Sequence, residues 1–286
     1  MTVGNRYWVA LFSQLLVLSA SVILFLIPIY LLWSHITFEQ NHLSNYKPHV
    51  VALILARGGS KGIPKKNLAE IQNSTLLRRS LDTINKCGLF QDIWVSTDDK
   101  EIAAEAELGG AKVFHRNAAT ASDEATSLSA VKEFSMYHQK VDIFAVIQCT
   151  SPFMTVEYLT RAYRMAVHQK FDSVFSVTRS HKLRWKLDSD GQLQPSNFDV
   201  TKRPRRQDWD GEYVENGMFY FAHKKLIVNN KLQGGKLGVV VIPMNRSLEI
   251  DTPFDLQAAR LLAPLLDTSK NTTENSSQIT KKSQVN

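Results

Sequence analysis

From Val50 onward, short apolar runs alternate with stretches of helical period, and this alternation limits the fold more than any other feature. Val50–Leu55 reads VVALIL, apolar on both faces, as strands in a covered parallel sheet are. Residues 76–86 place Leu76, Leu77, Leu81 and Ile84 on one helical face. Asp92–Thr97 then reads as a strand, Lys100–Leu108 as a helix, 111–115 as a strand and 124–138 as a helix. A strand at 141–148, a helix at 156–168 and a strand at 173–178 follow. Strands separated by helices predict an α/β fold, a mostly parallel sheet with helices on both faces. With 44% hydrophobic and 21% charged residues, the chain has enough apolar surface to cover such a sheet.

The pattern changes near residue 180. Residues 181–213 are polar and Arg-rich without a clear period. Residues 215–221 and 237–242 are strand-like and predict an antiparallel addition; 253–266 predicts a closing helix. Residues 267–286 are rich in Ser, Thr, Asn and Lys, with few apolar groups, and predict a disordered tail. The two cysteines, Cys87 and Cys149, sit inside these elements and read as buried small hydrophobes, with a disulfide between them left open.

Ahead of the fold, residues 8–33 carry no charge, a length that suits a bilayer core of about 20 apolar residues. Tyr7, Trp8, Tyr30 and Trp33 lie near its ends, where interfacial aromatics gather. The preferred expectation for residues 1–33 is a signal anchor, with a cleaved signal peptide and a buried helix as alternatives. Residues 34–48 read as a polar stem. Asn73, Asn245, Asn271 and Asn275 open N-x-[ST] sequons, which together with an anchor favour a lumenal catalytic domain.

Directly after the first strand comes Ala56-Arg57-Gly58-Gly59-Ser60-Lys61-Gly62-Ile63-Pro64-Lys65-Lys66-Asn67. Glycines let backbone N–H groups approach a ligand, and Arg57, Lys61 and Lys66 add positive charge beside the hydrogen-bonding Ser60 and Asn67. A triphosphate needs this chemistry, although neither the Walker A nor the G-x-G-x-x-G spacing is present. In an open α/β sheet, ligands bind at the carboxyl ends of strands, where this loop lies. The net charge of +7 gathers at residues 57–66 and 202–206, which points to local anion sites and not to a nucleic-acid face. The eight histidines show no H-x-x-x-H or H-E-x-x-H spacing, which argues against a zinc enzyme.

ARGGSKGIPKKN resembles the first motif of the CMP-sialic acid synthetases, and the likeness runs through most of residues 50–262. VSTDD at 95–99, HR at 115–116, TSL at 126–128, QCTSP at 148–152 and SVFSVTRSHKLRW at 173–185 follow in order. KRPRRQDWDGEYVENGMFYF at 202–221, LQGGK at 232–236 and EIDTPFDL at 249–256 complete the set, the long Arg/Trp block being similar to animal enzymes. This resemblance implies a Rossmann-like nucleotidyltransferase sheet over 49–266, with a dimerisation and sugar-binding insert at about 180–245. It implies attack by the anomeric hydroxyl of a sialic acid on the α-phosphate of CTP, releasing diphosphate.

Under that resemblance, Arg57, Ser60, Lys61, Lys66 and Asn67 grip the triphosphate, with Lys66 and Arg57 as catalytic charges. Arg116 and Ser127 match positions near the cytidine, and Gln148 matches a sugar contact. Arg203, Arg205 and Arg206 offer planar forks for a carboxylate or phosphate, with Arg206 the candidate catalytic arginine. Tyr213, Glu215, Asn216 and Phe219 lie in the block that shapes the sugar pocket, a region that crosses to a neighbouring subunit in relatives. A homodimer or a dimer of dimers is therefore implied. Glu249 and Asp251 match an acid-x-acid pair for Mg²⁺, with Glu249 where many relatives carry Asp. Asp251 or Thr252 can instead cap the helix that Pro253 begins, and Asp98 either supports the site or caps the next helix. A synthetase for KDN or Kdo, a Golgi glycosyltransferase and a non-catalytic binder are the competing readings. The expected address is a Golgi or other secretory-pathway membrane, crossed once.

Overall fold

The structure, a computed structural model, describes residues 26–34 and 47–282, with side chains as far as residue 267. The chain divides into two units between residues 47 and 48. In the first, residues 26–34 form a helix whose side chains are nearly all exposed. Among the described residues no helix is long and apolar enough to cross a membrane. Of the predicted anchor only 26–33 is described, and residues 1–25 and 35–46 lie outside the described residues.

The second unit is built on one sheet. Its elements are β1 (Val50–Leu55), a small hairpin of β2 (Glu70–Ile71) and β3 (Ser74–Thr75), α1 (Leu76–Cys87), β4 (Asp92–Thr97) and α2 (Lys100–Leu108). There follow β5 (Lys112–His115), α3 (Ala118–Ala121), α4 (Ser127–Tyr137), β6 (Ile143–Ile147), α5 (Val156–Val167) and β7 (Ser173–Ser180). The chain ends with β8 (Trp185–Leu187), β9 (Leu193–Pro195), β10 (Glu212–His223), α6 (Lys224–Val228), β11 (Leu237–Val241) and α7 (Pro253–Lys282). The strand order is β11-β7-β10-β6-β1-β4-β5. Among the described strands of this sheet only β10 is reversed, lying antiparallel between β6 and β7.

Period-two alternation sends the two faces of β1 into different cores. Val50, Ala52 and Ile54 pack with Leu77, Leu81, Ile102, Leu159 and Ala259 from α1, α2, α5 and α7. Val51 and Leu53 pack with Val131, Phe134, Leu226 and Ile227 from α4 and α6. These side chains are almost wholly removed from water, which stabilises each Val, Leu, Ile and Phe among them by about 1.5–3 kcal/mol before entropy. Helix starts are specified locally. Thr75, Asp99, Thr126 and Thr155 accept backbone N–H bonds in the first turns of α1, α2, α4 and α5.

The antiparallel addition differs from expectation. β10 lies inside the main sheet and β11 runs parallel to β7 at its edge, so residues 180–245 divide into sheet strands and an outer arm. Residues 181–211, with the β8–β9 pair, form the arm outside the sheet. Met218, Phe219 and Phe221 explain this, since they are buried and pack in the same core as β1. α7 continues to Lys282, past the expected end near 266; the backbone stays helical through residues predicted as a disordered tail. Once begun, a helix adds a hydrogen bond for each residue fixed, so it can extend beyond its apolar face. Residues 283–286 lie outside the described residues. Both cysteines are free thiols.

Candidate active site

From β1 the chain moves to β4 and β5 on one side, then returns to β6 on the other. Connections leaving β1 and β6 in opposite directions open a crevice at their carboxyl ends, the usual ligand position in such sheets. A cavity of about 380 Å³ lies there, lined by Leu55, Arg57, Ser60, Lys61, Gly62, Lys66, Asn67, Ser127, Val146, Gln148, Cys149, Thr150, Glu249 and Asp251. That size is within the range of small-ligand sites. Nine of the sequence-predicted site residues therefore converge on one crevice: Arg57, Ser60, Lys61, Lys66, Asn67, Ser127, Gln148, Glu249 and Asp251.

The basic loop is fixed from beneath. Gly58 N–H donates to Asp98 Oδ1 at 2.9 Å, so Asp98 supports the loop, while Asp99 caps α2. Asn67 is buried; its Nδ2 donates to the Arg57 carbonyl at 3.0 Å, and its Oδ1 accepts from Cys149 Sγ at 3.0 Å. Asn67 thus ties the start of the loop to its end, with its amide orientation set by Cys149. Burial pushes the Cys149 thiol up to about 12, which keeps it a neutral donor. Gly62 passes so close to the acidic segment that a Cβ there would lie 2.5 Å from the Asp251 carbonyl oxygen.

Each loop cation has a carboxylate partner. Arg57 Nη1 donates to Asp123 Oδ1 at 2.6 Å, and Lys61 Nζ lies 2.8 Å from Asp123 Oδ2. These two cations hold the Asp123 carboxyl below its ordinary range. Lys66 Nζ lies 2.9 Å from Asp251 Oδ1. Asp251 and Glu249 flank buried Ile250, whose N–H donates to the Thr150 carbonyl at 2.9 Å. An extended segment, not a strand, therefore turns both acids toward the cavity. Burial first, and the Asp251 charge second, raise the Glu249 pKa, with Lys66 opposing. Gly217, at φ +72°, leaves space beneath Glu249, whose carboxylate would lie 3.0 Å from a Cβ there. Helix capping falls to Thr252, which accepts from Asp255 N–H at 3.3 Å while Asp255 Oδ2 accepts from Thr252 N–H at 2.8 Å. The Asp251 carboxylate remains free of that duty.

Other predicted residues are placed elsewhere. Arg116 is buried, with Nε donating to Ser96 Oγ at 3.0 Å and Nη2 to the Ser96 carbonyl at 2.8 Å. Burial lowers its pKa to about 10. Its fork braces the end of β4 and does not line the cavity. Asn216 is buried too, donating to Ser247 Oγ at 3.0 Å and bracing the acidic segment. Tyr213 is exposed and accepts at its hydroxyl from Arg179 Nη2 at 2.8 Å. Arg203, Arg205 and Arg206 lie on the outer arm and line no part of the cavity; Arg205 is paired with Asp208 at 2.9 and 3.0 Å. Phe219 is core, and Glu215 accepts from Tyr220 and Gln233.

Sequence reasoning missed Asp123, Cys149 and Thr150 as parts of the site. Cys149 and Thr150 stand inside QCTSP and follow Gln148 out of a buried strand, which was an available signal. Asp123 carried none, since its partners lie more than sixty residues away. Gly58-Gly59-Ser60-Lys61-Gly62 also satisfies the letters G-x-S-x-G, but among the described residues no histidine lines the cavity beside Ser60 to assemble a hydrolase triad there.

The chain is similar to several known proteins. Over 214 residues the chain is 44% identical to N-acylneuraminate cytidylyltransferase A of Danio rerio, covering 74% of this chain and 50% of that one. It is 40% identical over 219 residues to the N-acylneuraminate cytidylyltransferase of Oncorhynchus mykiss, covering 76% and 50%. The chain thus spans about half the length of these curated relatives. Against the pseudaminic acid cytidylyltransferase of Campylobacter jejuni it is 29% identical over 223 residues, 74% of this chain and 95% of that one. Among solved structures, a CMP:2-keto-3-deoxy-manno-octonic acid synthetase complexed with CTP has a TM-score of 0.57 at 15% identity, covering 76% of this chain and 98% of that one. The 4-diphosphocytidyl-2C-methyl-D-erythritol synthase of Anaerococcus prevotii has a TM-score of 0.59 at 16% identity, covering 76% and 99%. Those two likenesses bear on the fold and agree with the Rossmann-like nucleotidyltransferase sheet. The family model described as cytidylyltransferase matches residues 51–278, a span that holds all of the sheet but Val50, the basic loop and the acidic pair, and the chain belongs to that family.

Proposed function

We propose that the chain is an N-acylneuraminate cytidylyltransferase, joining CTP and a sialic acid into the CMP-sugar with release of diphosphate. The observation that carries this reading is the Lys66–Asp251 contact at the mouth of β1, which sets a cation and an anion side by side on the crevice wall. A nucleotidyl transfer needs both: positive charge for the phosphates and a carboxylate for their counter-ion. The identities of 44% and 40% to N-acylneuraminate cytidylyltransferases support the sugar acid as acceptor.

In this reading Arg57 and Lys61 bind the outer phosphates, and Lys66 neutralises charge developing at the α-phosphate. The loop backbone, held by Asp98 at the Gly58 N–H and by Asn67 at the Arg57 carbonyl, is fixed before the nucleotide arrives. Such preorganisation spares reorganisation in the transition state. Gln148 leaves β6 beside the cavity, where an amide can read sugar hydroxyls or an N-acyl group. Arg206 would reach the site only from a second copy of the chain, which is the reason to retain the dimer, or dimer of dimers, in the proposal.

The acidic pair fits a hard divalent cation. Desolvation and mutual repulsion raise the Glu249 pKa, a cost that a cation would relieve. Among the described residues no cluster of three or more protein ligands forms. Mg²⁺ is commonly bound by one or two carboxylates with substrate phosphates and water, and Asp251 and Glu249 would supply the carboxylates. When bound, the ion would neutralise phosphate charge and help orient the nucleotide. The apolar run at 8–33 and the sequons further support an anchored glycoprotein with its catalytic unit in the Golgi lumen.

The test is diphosphate release by the purified 286-residue chain with Mg²⁺, CTP and N-acetylneuraminate, beside a folded Lys66→Ala variant. Release that needs both substrates and is lost in the variant supports the proposal. Turnover of KDN, Kdo or pseudaminic acid in preference to N-acetylneuraminate would reassign the acceptor. No release by folded protein with any of these acids would overturn it.

A further inference from the structure

Asp123 occupies the cations that the outer phosphates are expected to occupy. One carboxylate oxygen lies 2.6 Å from Arg57 Nη1 and the other 2.8 Å from Lys61 Nζ, so a single side chain spans both. Two oxygens sharing one negative charge, facing two cations, resemble the non-bridging oxygens of a terminal phosphate. Lys66 is not part of this arrangement, because its partner is Asp251. Arg57, Lys61 and Lys66 therefore have two carboxylate partners of different kinds, Asp251 within the acidic pair and Asp123 on the outer cations alone.

The surroundings of Asp123 suit a partner that leaves and returns. It sits on an exposed turn between α3 and α4, closed by an Ala125 N–H to Ser122 carbonyl bond of 3.2 Å. The Lys61 and Asp123 side chains are 81% and 40% exposed, so water replaces their pairing at little cost. The turn leads directly into Thr126, the cap of α4, and Ser127 on the cavity wall. Displacing the Asp123 side chain leaves the buried core of α4 intact.

We infer that Asp123 is an internal competitor for the outer phosphates, holding Arg57 and Lys61 before a nucleotide binds and recapturing them as diphosphate departs. The inference rests on the nucleotide-binding reading of the loop. A triphosphate, with its greater charge, displaces the carboxylate from both cations. After transfer, the diphosphate faces a tethered anion that competes for the same two groups and hastens its release. Asp123 thus weakens binding of CTP and of diphosphate alike, while protecting turnover from product inhibition.

The experiment is calorimetric titration of inorganic diphosphate, with Mg²⁺, into the full chain and into Asp123→Asn, Asp123→Ala, Glu124→Gln and Arg57→Ala. Melting temperatures verify that each variant folds. Losing two exposed ion pairs is expected to tighten diphosphate binding about tenfold in both Asp123 variants, with stronger diphosphate inhibition of turnover. Glu124→Gln, which removes a neighbouring charge from the same turn, is expected to change binding much less. Unchanged or weaker binding in the Asp123 variants would overturn the inference and make Asp123 an aid to Arg57 and Lys61. Equal tightening in Glu124→Gln would also overturn it, leaving a general field effect. If the wild-type chain binds no diphosphate and Arg57→Ala behaves the same, the nucleotide reading of the loop falls, and this inference with it.

Discussion

Lys66 Nζ and Asp251 Oδ1 lie 2.9 Å apart, a contact that spans 185 positions of sequence and joins the basic loop to the segment before the last helix. The Lys66 side chain is only 17% exposed, whereas Asp251 is 66% exposed, so the anion is the more accessible partner. In the proposed reaction, a nucleotide with its counter-ion would separate them without opening the core.

Charge removal at this pair is expected to affect turnover far more than stability. Lys66→Met and Asp251→Asn should each shift stability by about 0–1 kcal/mol, as partly exposed ion pairs do. Each should lower kcat/KM about 100-fold or more, as loss of a preorganised electrostatic group does. Asp251→Asn should also raise the Mg²⁺ concentration needed for half-maximal rate. Thermal melts and metal titrations of the single and double variants check this, and a stability loss as large as the activity loss would assign the pair a structural role.

Glu249 carries a pH signature. Burial and the Asp251 charge hold its folded pKa above the ordinary 4.5, so the fold favours its protonated form. Its contribution to stability is present below the unfolded value and is lost as pH rises through the higher folded value. Relative to Glu249→Gln, the metal-free wild type should therefore lose stability as pH rises from about 4.5. Added Mg²⁺ should stabilise the wild type most above that window, where the carboxylate is ionised. Paired melting curves from pH 4.5 to 8 read this directly, and parallel curves would contradict it.

Two glycines of the loop should behave differently. A Cβ at Gly62 meets the Asp251 carbonyl oxygen at 2.5 Å, whereas one at Gly59 meets nothing within 4 Å. Gly62→Ala should cost about 1–3 kcal/mol and reduce activity by moving the acidic segment. Gly59→Ala should melt within about 0.5 kcal/mol of the wild type. Equal melting of the two variants would show that the loop and the acidic segment yield freely.

Arg116 is expected to be a bracing residue. Its buried guanidinium satisfies Ser96 at two atoms, so Arg116→Ala should destabilise by about 1–3 kcal/mol. Ser127→Ala, at an exposed position on the cavity wall, should leave the melting temperature nearly unchanged and raise the KM for CTP. A large KM effect from Arg116→Ala in a fully stable protein would restore its predicted place beside the cytidine.

Much of the site is legible because its chemistry is local. Arg57, Ser60, Lys61, Lys66 and Asn67 lie within one loop behind one buried strand, so their convergence needs no long-range folding. Glu249 and Asp251 were singled out by the family resemblance, and both line the same cavity. The arginines at 203, 205 and 206 are as suggestive by composition, yet they lie away from the cavity of the single chain. Residue type alone does not say where a polar loop is carried. Arg116 shows the converse, since its place beside Ser96 depends on pairing between β4 and β5.

The sequence by itself determined the strand–helix alternation and the composition of the basic loop, because each depends on neighbours a few positions apart. Tertiary structure alone decided that β10 enters the sheet reversed, that Asp123 spans Arg57 and Lys61, and that Lys66 meets Asp251. Those outcomes depend on which buried surfaces pack together. Hydrophobic burial is non-directional, so sequence patterning marks the faces to be covered without specifying which distant polar groups that packing brings into contact.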